Sequence, residues 1–256
     1  MSGQVWPLPL ADDEIERIER ATLEAVVPDR LEALPGWLLP MFDGTVGRAR
    51  SAVPLSHQPP APGLVDTIEQ RYRQHGFEPA FRLPELPTFD AFCRRLGERG
   101  YLREQPTLTQ VGRVAGLLAL HDGPAGELHA APDDQWMAMF LGPGLDPVDG
   151  ASRSRALGRA TGTLFASVRE AGATVACGAA AFGHGWLSVH GMRTAAAHRG
   201  QGLARRVLIA MAQEAQRRSI DKVFLQVDAS NAPALALYQR AGMVTAWPYA
   251  YWRCAA

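Results

Sequence analysis

The stretch that most constrains this chain is Arg199-Gly200-Gln201-Gly202-Leu203-Ala204. It follows an apolar, strand-like run, Trp186-Leu187-Ser188-Val189, and opens a long helical pattern. Glycines at a strand-to-helix junction let the backbone come close to a ligand. The helix behind them starts with N–H groups that have no partner in the helix, at the positive end of the peptide dipole. Such a junction binds an anion, most often a phosphate. The spacing is not the phosphate loop of ATPases, since no Gly-Lys-Ser/Thr follows, nor the Gly-x-Gly-x-x-Gly of dinucleotide folds. It reads Arg-x-x-Gly-x-Ala.

The downstream sequence repeats the alternation of strand and helix. Leu203, Val207, Leu208, Met211 and Ala215 recur at helical spacing and give one apolar face. Arg205, Arg206, Gln213, Arg217 and Arg218 mark the polar side. Lys222–Val227 reads as a strand. Asp228-Ala229-Ser230-Asn231-Ala232-Pro233 then gives a helix start with a polar cap and an early proline. That helix runs through Ala241 and stops at Gly242.

These two stretches resemble the signatures of the GCN5-related N-acetyltransferases (GNAT). In that family the Arg-x-x-Gly-x-Ala loop grips the pyrophosphate of acetyl-coenzyme A. The second signature has Asn before Ala-x-x-Leu-Tyr-x-x-x-Gly-Phe; here Met243 stands in place of the Phe. The resemblance implies an α/β (α+β) fold with a mixed sheet flanked by helices. It covers 160–250 firmly and the rest in outline.

Composition narrows the class of function. Lys+Arg and Asp+Glu are 26 each, so the formal net charge is zero. That argues against a general nucleic-acid or anionic-membrane surface. No apolar run approaches the ~18 residues of a membrane span. Cys93, Cys177 and Cys254 fit no metal spacing and read as free thiols. Met1–Trp6 has neither the basic segment nor the apolar core of a secretory signal. The expectation is a cytoplasmic protein with no metal.

The front half suggests a related but degenerate unit. Asp12 to Val27 reads as an amphipathic helix with Ile15, Ile18 and Leu23 inward and Glu14, Glu16, Arg17 and Glu19 outward. Residues 34–42 and 48–54 read as two strands about an Asp43-Gly44 turn. Helices follow over 64–74 and 88–96, with strands from 77 and from Tyr101. Residues 1–125 contain no Arg-x-x-Gly-x-Gly/Ala loop. They are expected to form a GNAT-like half without cofactor, and 126–256 the acetyl-CoA-binding domain, joined near 122–126. In the second half a short helix is expected over 133–141, a loop over 142–147, and a hairpin of 160–170 with 174–182. Trp186–Thr194 is expected as the next strand, and 249–253 as the last.

The resemblance implies roles for particular residues. A backbone N–H from Met192, Arg193 or Thr194 would aim at the thioester oxygen; these residues also read as an ordinary strand end. Tyr238 would be the general acid toward the leaving thiolate, and reads equally as a packed core tyrosine. The strand Trp186–Thr194 carries no carboxylate, so His190 is the candidate base, against the alternative of a satisfied half-buried histidine. Alternation puts His190 and Met192 on one strand face. His184 and His198 read as solvent-facing. Arg199, Gly200, Gln201, Gly202, Leu203, Ala204 and Arg205 would hold the phosphates. Asn231 would cap its helix, bond the pantetheine arm, or both.

The implied activity is acetyl transfer from acetyl-CoA to a primary amine by direct attack in a ternary complex. The alternative is an acyl-CoA-binding regulatory module without catalysis. The acceptor, a small molecule or a peptide, is not legible. Trp37, Phe81, Trp136 and Trp247 suit either an aromatic amine or the core. No nucleic-acid or membrane partner is expected, and a homodimer is left open.

Overall fold

The computed structural model describes residues 8–120, 123–142 and 145–254. The front of the chain forms α1 (Asp12–Val26), β1 (Arg30–Leu34), β2 (Trp37–Met41), a 3-10 turn (Gly47–Ala49), β3 (Val53–Pro54) and α2 (Leu64–Gln74). Next come β4 (Ala80–Pro84), α3 (Asp90–Glu98), β5 (Tyr101–Arg113) and α4 (Val114–Leu118). The rest forms β6 (Glu127–His129), α5 (Asp134–Ala138), α6 (Pro147–Gly158), β7 (Leu164–Glu170), β8 (Ala173–Gly183) and β9 (Trp186–Thr194). It ends with α7 (Leu203–Arg217), β10 (Lys222–Asp228), α8 (Ala232–Arg240) and β11 (Val244–Cys254).

Eight strands form one mixed sheet in the order β4-β11-β5-β10-β9-β8-β7-β6. Its parallel pair is β9 with β10. Parallel neighbours need a crossover, and α7 supplies it. β5 lies between β10 and β11, pairing Thr107–Arg113 with the first and Tyr101–Val111 with the second. Strands from residues 1–125 are therefore built into the sheet that carries the strands of 126–256. The division expected at 125/126 runs across one continuous sheet. At that point Gly126 donates its N–H to the Arg206 carbonyl (2.9 Å), and Arg206 Nε donates to the Pro124 carbonyl (2.8 Å). Asp122 of the expected linker lies outside the described residues.

Each sheet face is covered. α4, α7 and α8 close one side around Val189, Leu203, Val207, Met211, Leu237 and Tyr238. On the other side α1 and α6 pack Leu23, Val26, Ala156 and Leu157 onto Cys177 and Ala179 of β8. Ile15, Ile18 and Ala21 of α1 also join Trp186 and Phe224. The apolar faces expected for α1 and α7 are the buried ones.

Glu19 departs from its expected outward position. It is 2% exposed and faces Arg82 of β4, itself 1% exposed. Arg82 donates to both carboxylate oxygens of Glu19. Burial is the largest single effect and would lower the Arg82 pKa, but the charge and hydrogen bonds of Glu19, together with Tyr249 and Tyr251, outweigh it and hold the guanidinium above its usual value. Glu14 is also drawn in: the chain's single lysine, Lys222, donates to it at 2.7 and 3.0 Å, and Trp186 Nε1 at 2.9 Å.

Two local expectations need correction. The tight turn of the front hairpin is Pro35-Gly36, with Gly36 at φ +74°, between β1 and β2. Asp43-Gly44 instead opens a loop into the 3-10 turn, although β2 and β3 do pair antiparallel. Helix α6 gives no apolar periodicity, because its small residues, Gly150, Ser152, Ser154 and Ala156, are buried without an apolar stripe. Its start was marked by Asp146, which accepts the Val148 N–H at 2.9 Å, and by Pro147 at the first turn. Among the described residues no helix is long and apolar enough to cross a membrane.

Candidate active site

The site begins where two parallel strands part. β9 and β10 pair from Trp186–Lys222 to Val189–Leu225 and no further. Beyond Leu225, Gln226 to Asp228 keep only their partner on β5. His190 and Gln226 are the first residues past the fork. On the other edge of β9, its register against β8 shifts between Ala179–His190 and Cys177–Arg193. This bulge has Gly191 at φ +59°, a conformation that suits glycine.

The bulge overturns the expected alternation. Met192 packs with the core under α7, where a Cβ on Gly178 would meet its sulfur at 2.5 Å. His190 lies on the opposite face, edge-on to Phe224 at 6.4 Å. Both residues border the same cavity, but from its two sides.

That cavity has a volume of about 1150 Å³ and runs through the fork. It is bordered by His190, Met192, Arg193, Thr194, Arg199, Gly200, Gly202, Leu203, Ala204, Arg205, Asn231 and Tyr238. Of the candidate residues only Gln201 is not on its wall. Gln201 is exposed and its amide donates back to the Ala197 carbonyl (3.5 Å), because it sits between two left-handed glycines that turn its side chain outward.

Gly200 and Gly202 both have φ +78°. Gly202 caps α7 with no side-chain hydrogen bond, and the first turn of α7 contains no acidic residue. A Cβ on Gly202 would stand 2.5 Å from a guanidinium nitrogen of Arg205. The missing side chain thus lets Arg205 fold over the loop. Arg206 turns away, to Pro124. His198 is half-buried rather than fully solvent-facing and lies 3.6 Å from Glu170, while His184 is exposed beside Glu24.

Tyr238 is 6% exposed, on the α8 side of the sheet. Burial pushes its phenol up to about 12. His190 is 3% exposed, and neither ring nitrogen has a hydrogen-bond partner. Burial, then the nearby charge of Arg48, holds its pKa well below the usual 6.5. Asn231 caps α8, accepting the Ala234 N–H at 3.3 Å. Cys177 is buried, and that burial raises its thiol to about 12, which leaves no reactive thiolate there.

The family described as "Probable histone acetyltransferase Rv0428c C-terminal" matches residues 13–252. The chain belongs to this family. It is an acetyltransferase of the GNAT type, and solved structures share its fold. A GCN5-related N-acetyltransferase from Kribbella flavida superposes with TM-score 0.69 at 20% identity, over 94% of this chain and 96% of that one. A functionally unknown conserved protein from Staphylococcus epidermidis gives 0.67 at 11% identity, over 89% and 94%. A tandem GNAT protein from the clavulanic acid biosynthesis pathway gives 0.58 at 16%, over 95% and 96%. No curated protein matches the chain.

Several wall residues were not legible in the sequence. Trp37, Phe81, Trp136 and Trp247 are all core and none borders the cavity. Its aromatic wall is instead Phe140, Tyr238, Tyr249 and Tyr251. Arg48, from the 3-10 turn of the front half, reaches Gln226 at 3.1 Å. No local pattern marks Arg48, since its place depends on a contact 178 residues distant in sequence.

Proposed function

We propose that this acetyltransferase binds acetyl-CoA through the fork and transfers its acetyl group to a primary amine held in the same complex. The observation that carries this reading is the opening between β9 and β10 past Val189–Leu225, with the glycine loop at one end and Tyr238 and His190 on its two faces. The residues fit the cosubstrate. The first-turn amides of α7 and the positive helix end favour a diphosphate, and the first turn has no carboxylate to oppose it. Arg199 and Arg205 border the cavity at the loop, and their guanidinium forks suit phosphate oxygens.

When bound, acetyl-CoA supplies an activated acetyl group and a thiolate leaving group. The chain does the rest. Main-chain amides at Met192–Thr194, beside the bulge, are donors for the carbonyl oxygen. Asn231 adds a polar group for the pantetheine arm besides capping its helix. An amine has reference pKa ~10.4 and must lose a proton before it attacks. His190 has both ring nitrogens unpartnered at the cavity; burial and the charge of Arg48 keep it neutral, so it relays that proton onward through water and does not hold it. Tyr238 holds a proton at its phenol for the departing sulfur. Its raised pKa keeps it protonated at any working pH, and the desolvation that raises it also raises the proton affinity of a thiolate beside it.

Isothermal titration tests the first claim: acetyl-CoA should bind saturably to folded protein, and absence of saturation overturns it. Tyr238→Phe should lower kcat by about 100-fold while the acetyl-CoA Kd stays within about twofold. Unchanged kcat removes Tyr238 as the acid. Saturable binding with no thiol release on any primary amine would favour a sensing module instead.

A further inference from the structure

The acceptor's chemistry is written on the face of the fork opposite Tyr238. Three elements meet there: β9 at His190, β10 at Gln226, and the 3-10 turn that carries Arg48. Phe224 and Ser188 are register partners, so Gln226 and His190, two residues on, point to the same side. Arg48 Nη1 donates to the Gln226 side-chain oxygen, a neutral acceptor, at 3.1 Å. Among the described residues no carboxylate pairs with Arg48. Its charge is near enough to bear on the protonation of both His190 and Tyr249.

The rest of that wall is cationic too. Arg193 lies over the Phe140 ring at 5.4 Å, and burial, then Arg153, lowers its pKa. Arg153 is offset by Asp149 at 2.5 Å, and Arg48 has no such counter-charge. The carboxylate on the cavity wall, Asp228, is engaged by its own turn: Ser230 donates to it from N–H at 2.8 Å and from Oγ at 2.5 Å. Arg48 is also held in place. A Cβ on Gly47 would meet the Arg253 guanidinium at 2.6 Å and the Tyr251 ring at 2.8 Å, so the turn rests directly on those groups. Arg253 in turn lies 4.6 Å from the Tyr251 centroid and donates to Glu104.

A half-buried guanidinium facing a cavity with only a neutral partner is an anion receptor. A cationic acceptor, such as a polyamine or a lysine-rich tail, would meet like charge there. We propose that the acceptor is a small primary amine that also carries a carboxylate, as an α-amino acid does, with Arg48 receiving the carboxylate while His190 faces the nitrogen. This rests on the acetyl-transfer reading above. The chemistry balances without another reactant. The ammonium first releases one proton to solvent; the N–C bond then forms as the thioester C–S bond breaks, a second proton leaves nitrogen and one ends on sulfur, and the products are an N-acetyl amino acid and a thiol.

The test compares each of the common α-amino acids with the amine lacking its carboxylate and with its primary amide, reading thiol release. A lysine-rich peptide is run beside them. The best amino acid should exceed its decarboxylated partner in kcat/KM by about 30-fold, the scale of a charge-assisted hydrogen bond. In Arg48→Gln that ratio should fall to about 1, mainly through KM, and Arg48→Lys should recover part of it. Titration with acetyl-CoA accompanies each variant and should give the wild-type Kd. Equal turnover of carboxylated and carboxylate-free amines, preference for the lysine-rich peptide, or a ratio unmoved in a folded Arg48→Gln each overturns the proposal. If acetyl-CoA itself does not bind, the transfer reading falls and this inference with it. Binding without the preference overturns this inference alone.

Discussion

Gly202→Asp is expected to weaken acetyl-CoA binding by about 1000-fold, or about 4 kcal/mol, and to leave the fold intact. The position has φ +78° and ψ 2°, which aspartate tolerates better than most residues with a Cβ. The local cost to stability is therefore small, on the order of 1 kcal/mol. Binding suffers in three ways. The carboxylate stands where a diphosphate would approach the first-turn amides. Its Cβ displaces the Arg205 guanidinium, which a Cβ would meet at 2.5 Å. It also offers Arg205 a carboxylate in place of a phosphate. Gly172→Asp is the matched control. Gly172 has φ +82°, a Cβ there meets nothing within 4 Å, and it sits in the β7–β8 turn, off the cavity wall. Titration should show an unchanged Kd for Gly172→Asp and a near loss for Gly202→Asp, with Tm values of both within a few degrees of wild type. A Gly202→Asp protein that binds as tightly as the control would remove the loop from the phosphate site.

What the sequence made legible was local. The limits of β9 and the start of α7 follow from apolar periodicity and two glycines, and the structure places them at Trp186–Thr194 and Leu203. Helix α2 follows in the same way from Val65, Ile68 and Tyr72 over Leu64–Gln74. Most of the candidate site could be named because its residues lie in two short signatures, each carried by one turn or one helix. Long-range effects were hidden. Strand alternation puts Met192 beside His190 until a bulge at Gly191 reverses it, and one glycine in a strand is a weak sign of that. The insertion of β5 between β10 and β11 joins residues more than 100 apart, which no period records. Nothing near Arg48 or Arg82 in sequence announces Gln226 or Glu19.

Glu19→Ala is expected to destabilise the protein by about 3–5 kcal/mol, since it leaves a buried guanidinium without its counter-charge. Arg82 is 1% exposed, and its Nε already lacks a partner. Only its two terminal nitrogens are satisfied, both by Glu19. In a chain of 256 residues this should lower Tm by about 10 °C, taking roughly 2–4 °C per kcal/mol. The loss should reach the site as well. Arg82 lies 5.2 Å from the centroid of Tyr249, whose ring borders the cavity on the acceptor side. An unpaired Arg82 will seek water and release that ring, so KM for the acceptor should rise while the acetyl-CoA Kd, set at the far end of the cavity, holds. Pairing Glu19→Leu with Arg82→Met removes both charges together, and should recover most of the stability. It should not recover the acceptor KM, because the cation over Tyr249 is gone. Denaturant unfolding of the three proteins separates these effects. If Glu19→Ala costs less than about 1 kcal/mol, the value of an exposed pair, the Glu19–Arg82 bridge does not act as a buried one.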